Sequence, residues 1–296
     1  MTARVFVAGS LHLDVIVNAP RLPRLDETLM GDAVAYAFGG KGGNQALAAA
    51  QMGATVSMAG RVGSDAFGRQ LRDRLDAGGI DHHQILADPG PSGMSAAIVD
   101  ANGDYGAVVV SAANRFIRAA DIVLPGDTGL LVLQNEIPAA VNRALAAAAQ
   151  ARGIPVMWNA APHRRDTDAI PTLYRYLILN RVEARDMSGK DDPAAAAKAL
   201  HRAGYATVIV SLGAEGLVWH GAAGAHASAA PKVDTISSHG AGDMFCGALA
   251  ARLVAVEPLE KALNFAQTAA ALHVSTPVEV RADITPALVD AFAQSR

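Results

Sequence analysis

Cysteine is nearly missing: Cys246 is the only one in 296 residues. A single thiol forms no internal disulfide and no multi-cysteine metal site, and its place beside Phe245 in an apolar stretch reads as packing. Charge of one sign is not in excess either. Lys and Arg number 25 against 28 Asp and Glu, a formal net charge of −3, and they are scattered. No basic face therefore offers itself to nucleic acid or to an anionic membrane, which leaves a small ligand as the expected partner. Long apolar runs are lacking too. The opening MTARVFVAGSLHLD carries only a few apolar residues before His12 and Asp14, too few for a signal-peptide core or a membrane span, which predicts a cytoplasmic protein. No G-x-G-x-x-G follows a strand, and Lys41 is followed by Gly42, not by Ser or Thr, so neither a dinucleotide fingerprint nor a Walker loop is present. With no His-Glu-x-x-His or comparable cluster, His82 and His83 read as surface residues, not zinc ligands.

What is present is a large core's worth of apolar residues, 51% of the chain, arranged in alternation. Apolar runs RVFVA, ATVSMAG, LLVLQ, IPVMWNA, YLILN and ATVIVS read as strands. Between them lie helical stretches at 44–53, 65–79, 138–152 and 193–203, and two more at 257–275 and 285–294 finish the chain. Such alternation predicts an α/β fold: a mostly parallel sheet with helices on both faces. Two excursions interrupt it. Residues 11–17 and an irregular strand at 28–38 form the first; MSAAIVD and YGAVVVS, joined by an Asn102-Gly103 turn signal, form the second. They predict a small β-sheet lid from about 11–38 and 92–112 on a single domain spanning 1–296. APKVDTI, before the last glycine cluster, reads as one more strand.

Two glycine clusters carry the chemistry. In AFGGKGGNQALAAAQMGA, Gly39, Gly40, Gly42 and Gly43 permit close backbone approach beside Lys41 and Asn44, near a helix start. That composition suits a polyhydroxy ligand, and it equally suits a glycine-rich turn packed on the sheet. In ISSHGAGDMFCGAL, Gly240, Ala241 and Gly242 fall at the start of an apolar helix whose free N–H groups can hold an anion. On that stretch alone, Asp243 either offsets the helix's positive end or is a reactive group.

The ordered set GSLHLD, Glu27-Thr28, FGGKGGNQALAAAQMG, RVGSDAFG, NAAP, NRVEA, SLGAEG and GAGDMFCGAL resembles the ribokinase-like carbohydrate kinases, the phosphofructokinase-B family. The glycine-lysine-glycine block is most similar to the family's ribokinase branch. The resemblance implies that Asp14, Gly39, Gly40, Lys41, Asn44 and Glu136 hold the sugar. It implies that Asn180 and Glu183 serve the phosphate and Mg2+ region, with Glu183 as the metal-side residue. Ser211, Gly213 and Gly216 would border ATP. Gly240, Ala241 and Gly242 would form the anion hole, and Asp243 the general base for a primary sugar hydroxyl. A helix start is expected to hold that aspartate low, which a loose phosphoryl-transfer transition state tolerates.

Three positions depart from the family's pattern. His12 stands where an asparagine is usual, either as a buried structural residue or in contact with the sugar. Ser237-Ser238-His239 replaces Asp-Thr-Thr, and STPVEV at 275–280 lacks the usual glycine, both where many members bind K+. His239 reads either as a phosphate neighbour or as an exposed loop residue, and Arg164-Arg165 as a solvated turn. The expected reaction is ATP-dependent, Mg2+-requiring phosphorylation of ribose to ribose 5-phosphate. Deoxyribose, another sugar or sugar acid, or a nucleoside are alternative acceptors, and a non-catalytic sugar- or nucleotide-binding module is the alternative of another class. A nicotinamide enzyme would share only the fold pattern. Exposed lid edges suggest a homodimer joined through the lid.

Overall fold

The computed structural model describes residues 3–101, 105–164 and 169–295. The apolar runs form the centre of one nine-stranded sheet: β1 (Arg4–Ala8), β4 (Val56–Gly63), β8 (Thr128–Gln134), β9 (Val156–Asn159), β10 (Tyr176–Asn180) and β11 (Val208–Ser211), all parallel. One edge is β5 (Asp81–Asp88), also parallel; the other is the antiparallel hairpin β12 (Leu217–Gly221) and β13 (Gly224–Ser228). The order is β13-β12-β11-β10-β9-β8-β1-β4-β5. Along β1, Val5 and Val7 face one buried layer while Phe6 and Ala8 face the other, because strand side chains alternate. Burial on both faces is why these strands read as unbroken apolar runs.

The first layer packs on α1 (Lys41–Gln51), α2 (Ala66–Ala77), α6 (Ala241–Val254), α7 (Leu259–Ser275) and α8 (Pro286–Gln294). The second packs on α3 (Ala139–Ala151), α4 (Arg181–Ser188) and α5 (Pro193–Arg202). A separate four-stranded sheet contains β2 (His12–Asn18), β3 (Ala33–Gly39), β6 (Gly93–Val99) and β7 (Tyr105–Val110) in the order β3-β2-β6-β7. These are the two excursions expected from the sequence. Strand structure in the first is confined to β2 and β3, since the Pro20- and Pro23-bearing connection and residues 28–32 lie outside any strand. The expected Asn102-Gly103 turn and Arg165 lie outside the described residues.

Two expectations are corrected. Helix α1 begins at Lys41, not Asn44, with Gly40 at φ 88 as its N-cap. The span 230–236 is not a strand: the β12–β13 hairpin already occupies that sheet edge, and the Ile236 N–H donates to the Val274 carbonyl at 2.8 Å instead. Among the described residues, no helix is long and apolar enough to cross a membrane.

Candidate active site

From β1 the chain moves to β4 and β5 on one side and later to β8 through β11 on the other, so the strand order reverses between β1 and β8. Ligands of open α/β sheets bind outside the carboxyl ends of the strands at such a point. Ser10 follows β1, Glu136 follows β8, and they meet there: Ser10 Oγ donates to Glu136 Oε2 at 2.5 Å, and the Lys41 backbone N–H donates to the same oxygen at 2.8 Å.

Helix α1 starts at this junction because glycines let it come close. A side chain on Gly42 would lie 2.6 Å from the Gly9 and Ser10 backbone, and one on Gly43 would lie 2.6 Å from the Phe38 ring. Both are buried, so these two glycines belong to the packed-turn reading. Gly39 and Gly40 lie against β2 and the loop before it. A Cβ on Gly39 would overlap the Asp14 carboxylate, and Gly40 adopts a positive φ that favours glycine. Asp14 projects from β2 and accepts from Ser95 Oγ at 2.6 Å, its register partner on β6. His12, two residues earlier on the same strand, is buried, and its Nε2 has no hydrogen-bond partner among the described residues. Asn114 braces this corner by a reciprocal pair with the Leu11 backbone at 2.9 and 2.8 Å.

Helix α6 brings the other glycine cluster. Gly247 packs so closely on α1 that a Cβ there would lie 2.6 Å from Ala49 N, which sets the two helix starts side by side. Gly240, at φ 79, is the N-cap of α6, and no side chain caps that helix. Ala241, Gly242 and Asp243 form its first turn; a side chain on Gly242 would meet nothing within 4 Å. Asp243 is half-buried and accepts from Gln45 Nε2 at 3.0 Å and Asn44 Nδ2 at 3.5 Å, and Gln45 Nε2 also donates to Asn159 Oδ1 at 3.1 Å.

The expectation that a helix start holds Asp243 low is overturned. Burial dominates and pushes its carboxyl above the usual carboxylate range, against the opposing pull of Lys41 and the amides of Gln45 and Asn44, while Glu136 adds to the rise. Burial pulls the Lys41 ammonium down, yet Asp243 and Glu136 together outweigh it and keep it above its ordinary value. Lys41 thus stays charged between two carboxylates.

Further along the sheet, Asn180 and Ser211 are register partners at the ends of β10 and β11. Asn180 caps α4 through a reciprocal box, with its side chain accepting from the Glu183 N–H and Glu183 Oε2 accepting from the Asn180 N–H at 2.8 Å. Burial raises the Glu183 carboxyl, with Lys41 near enough to oppose it. Gly213 is exposed at φ 62 beside this end of the sheet. Gly216 is buried at φ 105, where a Cβ would collide with the Ser228 carbonyl, so its place is structural. The site therefore has one group around Asp14 and another at Asn180 and Ser211, and the charge of Lys41 acts on Asp243 and on Glu183.

Residues 2–279 match the family described as pfkB family carbohydrate kinase. The chain belongs to that family. It is an ATP-dependent sugar kinase, and its larger and smaller sheets are those of the ribokinase-like fold. It is 31% identical to ribokinase of Bacillus subtilis over 276 residues, covering 91% of this chain and 92% of that protein. It is 29% identical to deoxyribokinase of Salmonella typhimurium over 282 residues, covering 92% of each. Among solved structures it is similar to Arabidopsis thaliana ribokinase complexed with ribose and ATP, at 25% identity, TM-score 0.88 and 99% coverage of both chains.

Sequence reading of this kinase missed Gln45, Asn159, Ser10, Ser95 and Arg281. The first three stand inside motifs already quoted, but a hydrogen bond from Gln45 to a residue 198 positions away leaves no trace in spacing. The exposed His239 contributes its carbonyl, which accepts from Arg281, and not its ring, to this region.

Proposed function

We propose that this kinase transfers the γ-phosphoryl group of ATP to the primary hydroxyl of ribose, giving ribose 5-phosphate and ADP. The observation that carries the proposal is the placement of Asp243: its carboxylate is held by two α1 amides beside Lys41, on the first turn of an uncapped helix.

Asp14, braced by Ser95, together with Gly40, Lys41, Asn44 and Glu136, holds sugar hydroxyls with charged and amide groups. The unpaired Nε2 of the buried His12 lies on the same strand as Asp14, and a hydroxyl of the sugar would complete it. Asp243 accepts the proton as the sugar oxygen attacks phosphorus and the bond to the leaving ADP oxygen breaks. Its raised carboxyl makes it a better base than an exposed aspartate once ionised. The backbone N–H groups of Gly240, Ala241 and Gly242 meet the charge that spreads over the transferring phosphoryl oxygens. The open space over Gly242 accommodates that group. Asn180, Ser211 and Gly213 border the nucleotide, with Gly216 shaping their turn.

Mg2+ would arrive with the ATP phosphates and neutralise their charge. It keeps several waters and needs few carboxylates, which suits a site where no group of three His, Cys, Asp or Glu converges among the described residues. Glu183, with one oxygen bound to the Asn180 N–H, would reach it through water. The four-stranded sheet acts as a lid over the sugar and excludes water, the competing acceptor. Val108, Val109 and Val110 on its β7 edge and Val34 and Tyr36 on its β3 edge are exposed, and a second copy covering an edge makes a homodimer.

ADP release from a panel of ribose, 2-deoxyribose, other pentoses and hexoses, sugar acids and nucleosides tests the acceptor. Ribose should give the highest kcat/KM. A higher value for 2-deoxyribose or a nucleoside reassigns the substrate, and no turnover with tight ligand binding favours the binding-module reading. Sedimentation equilibrium showing a monomer at micromolar concentration would remove the dimer.

A further inference from the structure

Arg281 is a buried guanidinium without a carboxylate. It lies in the helical turn 278–283 after α7, only 8% exposed, and no acidic side chain is hydrogen-bonded to it among the described residues. Its donors go mainly to main-chain carbonyls instead: Nε to Thr276 at 3.0 Å, Nη1 to His239 at 2.9 Å and Nη2 to Ser237 at 2.8 Å, with Nη1 also 3.2 Å from the ring Nε2 of His273. Burial of an unpaired charge is expensive unless several oxygens take it up, and here three converge on it from two segments.

Those oxygens are placed where they matter for the kinase. His239 immediately precedes Gly240, the N-cap of α6, and Ser237 lies three residues before it. The same turn is tied to α7 by the Ile236 and Ser237 N–H groups, both donating to the Val274 carbonyl. Gly240 packs against His273, whose Nε2 would lie 3.0 Å from a Cβ there. The Arg281 carbonyl also accepts from Gln51 Nε2, at the last residue of α1, at 2.7 Å. The Arg281 side chain thus links both Ser237 and His239 of the turn from which the anion-binding amides and Asp243 project, beside the ties to Val274 and the 3.1 Å contact of His273 Nε2 with the His239 carbonyl.

A ring of carbonyl oxygens is also what a monovalent cation would take, and it is the departures at 237 and 275–280 that left such an ion open in the sequence. The residues present do not fit it. The three carbonyls already accept from Arg281, Ser237 stands where a carboxylate would be, and a second positive charge beside the guanidinium would be repelled. We propose that Arg281 is a positioning residue that serves as a built-in cation, holding the anion-binding turn in place of a bound monovalent ion, so that the enzyme needs no K+. The proposal rests on the kinase reading of the site. A guanidinium remains charged at every working pH and is covalently held, so this turn stays ordered without regard to the ionic medium.

The test uses the wild-type protein in KCl, NaCl, CsCl and tetramethylammonium chloride at equal ionic strength. Both kcat and kcat/KM should stay within about twofold across the series, and exchanging tetramethylammonium for K+ should leave Tm unchanged, since an ion that does not bind the native state cannot stabilise it. Saturable activation by K+ beyond about fivefold, or a K+-specific rise in Tm, would overturn the proposal. Arg281→Met should lower kcat by about 10²-fold, the scale of losing aligned anion-hole donors, with the sugar KM little changed and part of the rate restored by added guanidinium or K+. A soluble Arg281→Met enzyme with wild-type kcat would equally overturn it. The cation series needs no variant and decides the matter even where Arg281→Met does not fold. If no sugar is phosphorylated in any salt, the kinase reading fails, while the Tm comparison still reports on Arg281.

Discussion

Replacing Asp243 by Asn should make the protein more stable and nearly inactive at once. Burial drives the Asp243 carboxyl above its ordinary range of 3.8, so its charged form is disfavoured in the folded chain relative to the unfolded one. Asn keeps the shape and still accepts from Gln45 Nε2, now 3.0 Å away. It gives up only the long contact to Asn44 at 3.5 Å. The attraction between Lys41 and Asp243 is lost as well, but Lys41 keeps Glu136 as a counter-charge, and burial is the larger influence on Asp243. Relief of a functional strain of this kind is worth about 0.5–2 kcal/mol. In a chain of this size that is a Tm rise of roughly 2–4 °C for each kcal/mol.

The sign with pH follows from the raised carboxyl. Between the unfolded value and the higher folded value the native state holds the extra proton, so wild-type stability falls as pH rises through that window. The advantage of Asp243→Asn should therefore be smallest near pH 4 and grow as pH rises above the unfolded value, as read by thermal unfolding. In parallel, kcat measured by ADP release should drop about 10²–10⁴-fold. A variant that is less stable than wild type at pH 8, or one that phosphorylates sugar at the former rate, refutes the reasoning.

Lys41→Met removes the charge that opposes the rise of Asp243, so the acid limb of the kcat/KM profile should move to higher pH; an unmoved limb between pH 5 and 9 would show that Asp243 is not the titrating group. Ser95→Ala takes away the 2.6 Å donor to Asp14 and should raise the sugar KM about fivefold to tenfold with the ATP KM unchanged, a split that steady-state kinetics resolves. Gly242→Ala places a methyl group in open space, so Tm should shift by no more than about 1 °C while kcat falls at least about tenfold; unchanged kcat would mean the phosphoryl group lies elsewhere.

Much of this molecule is written locally. Strands buried on both faces announce themselves as apolar runs, and glycines at helix starts mark where backbone must approach closely, so the α/β alternation, the small sheet and the GAGD turn were all legible. The glycine block was legible only in part. Its residues look alike in one dimension, yet Gly42 and Gly43 are filled by neighbouring backbone and the Phe38 ring, whereas Gly39 abuts Asp14. APKVDTI misled because its composition suits a strand, while membership of a sheet depends on a free edge, and the β12–β13 hairpin holds that edge.

The sequence by itself determined the fold class, the family and the identity of Asp243 as an acid at a helix start, because each depends on periodicity or on residues adjacent in the chain. Only the tertiary structure decided the direction in which that acid's pKa is pushed and the means by which its turn is held. Burial, the amides of Asn44 and Gln45, and the reach of Arg281 across to Ser237 and His239 arise between segments tens to hundreds of residues apart, and electrostatics depends on distance in space.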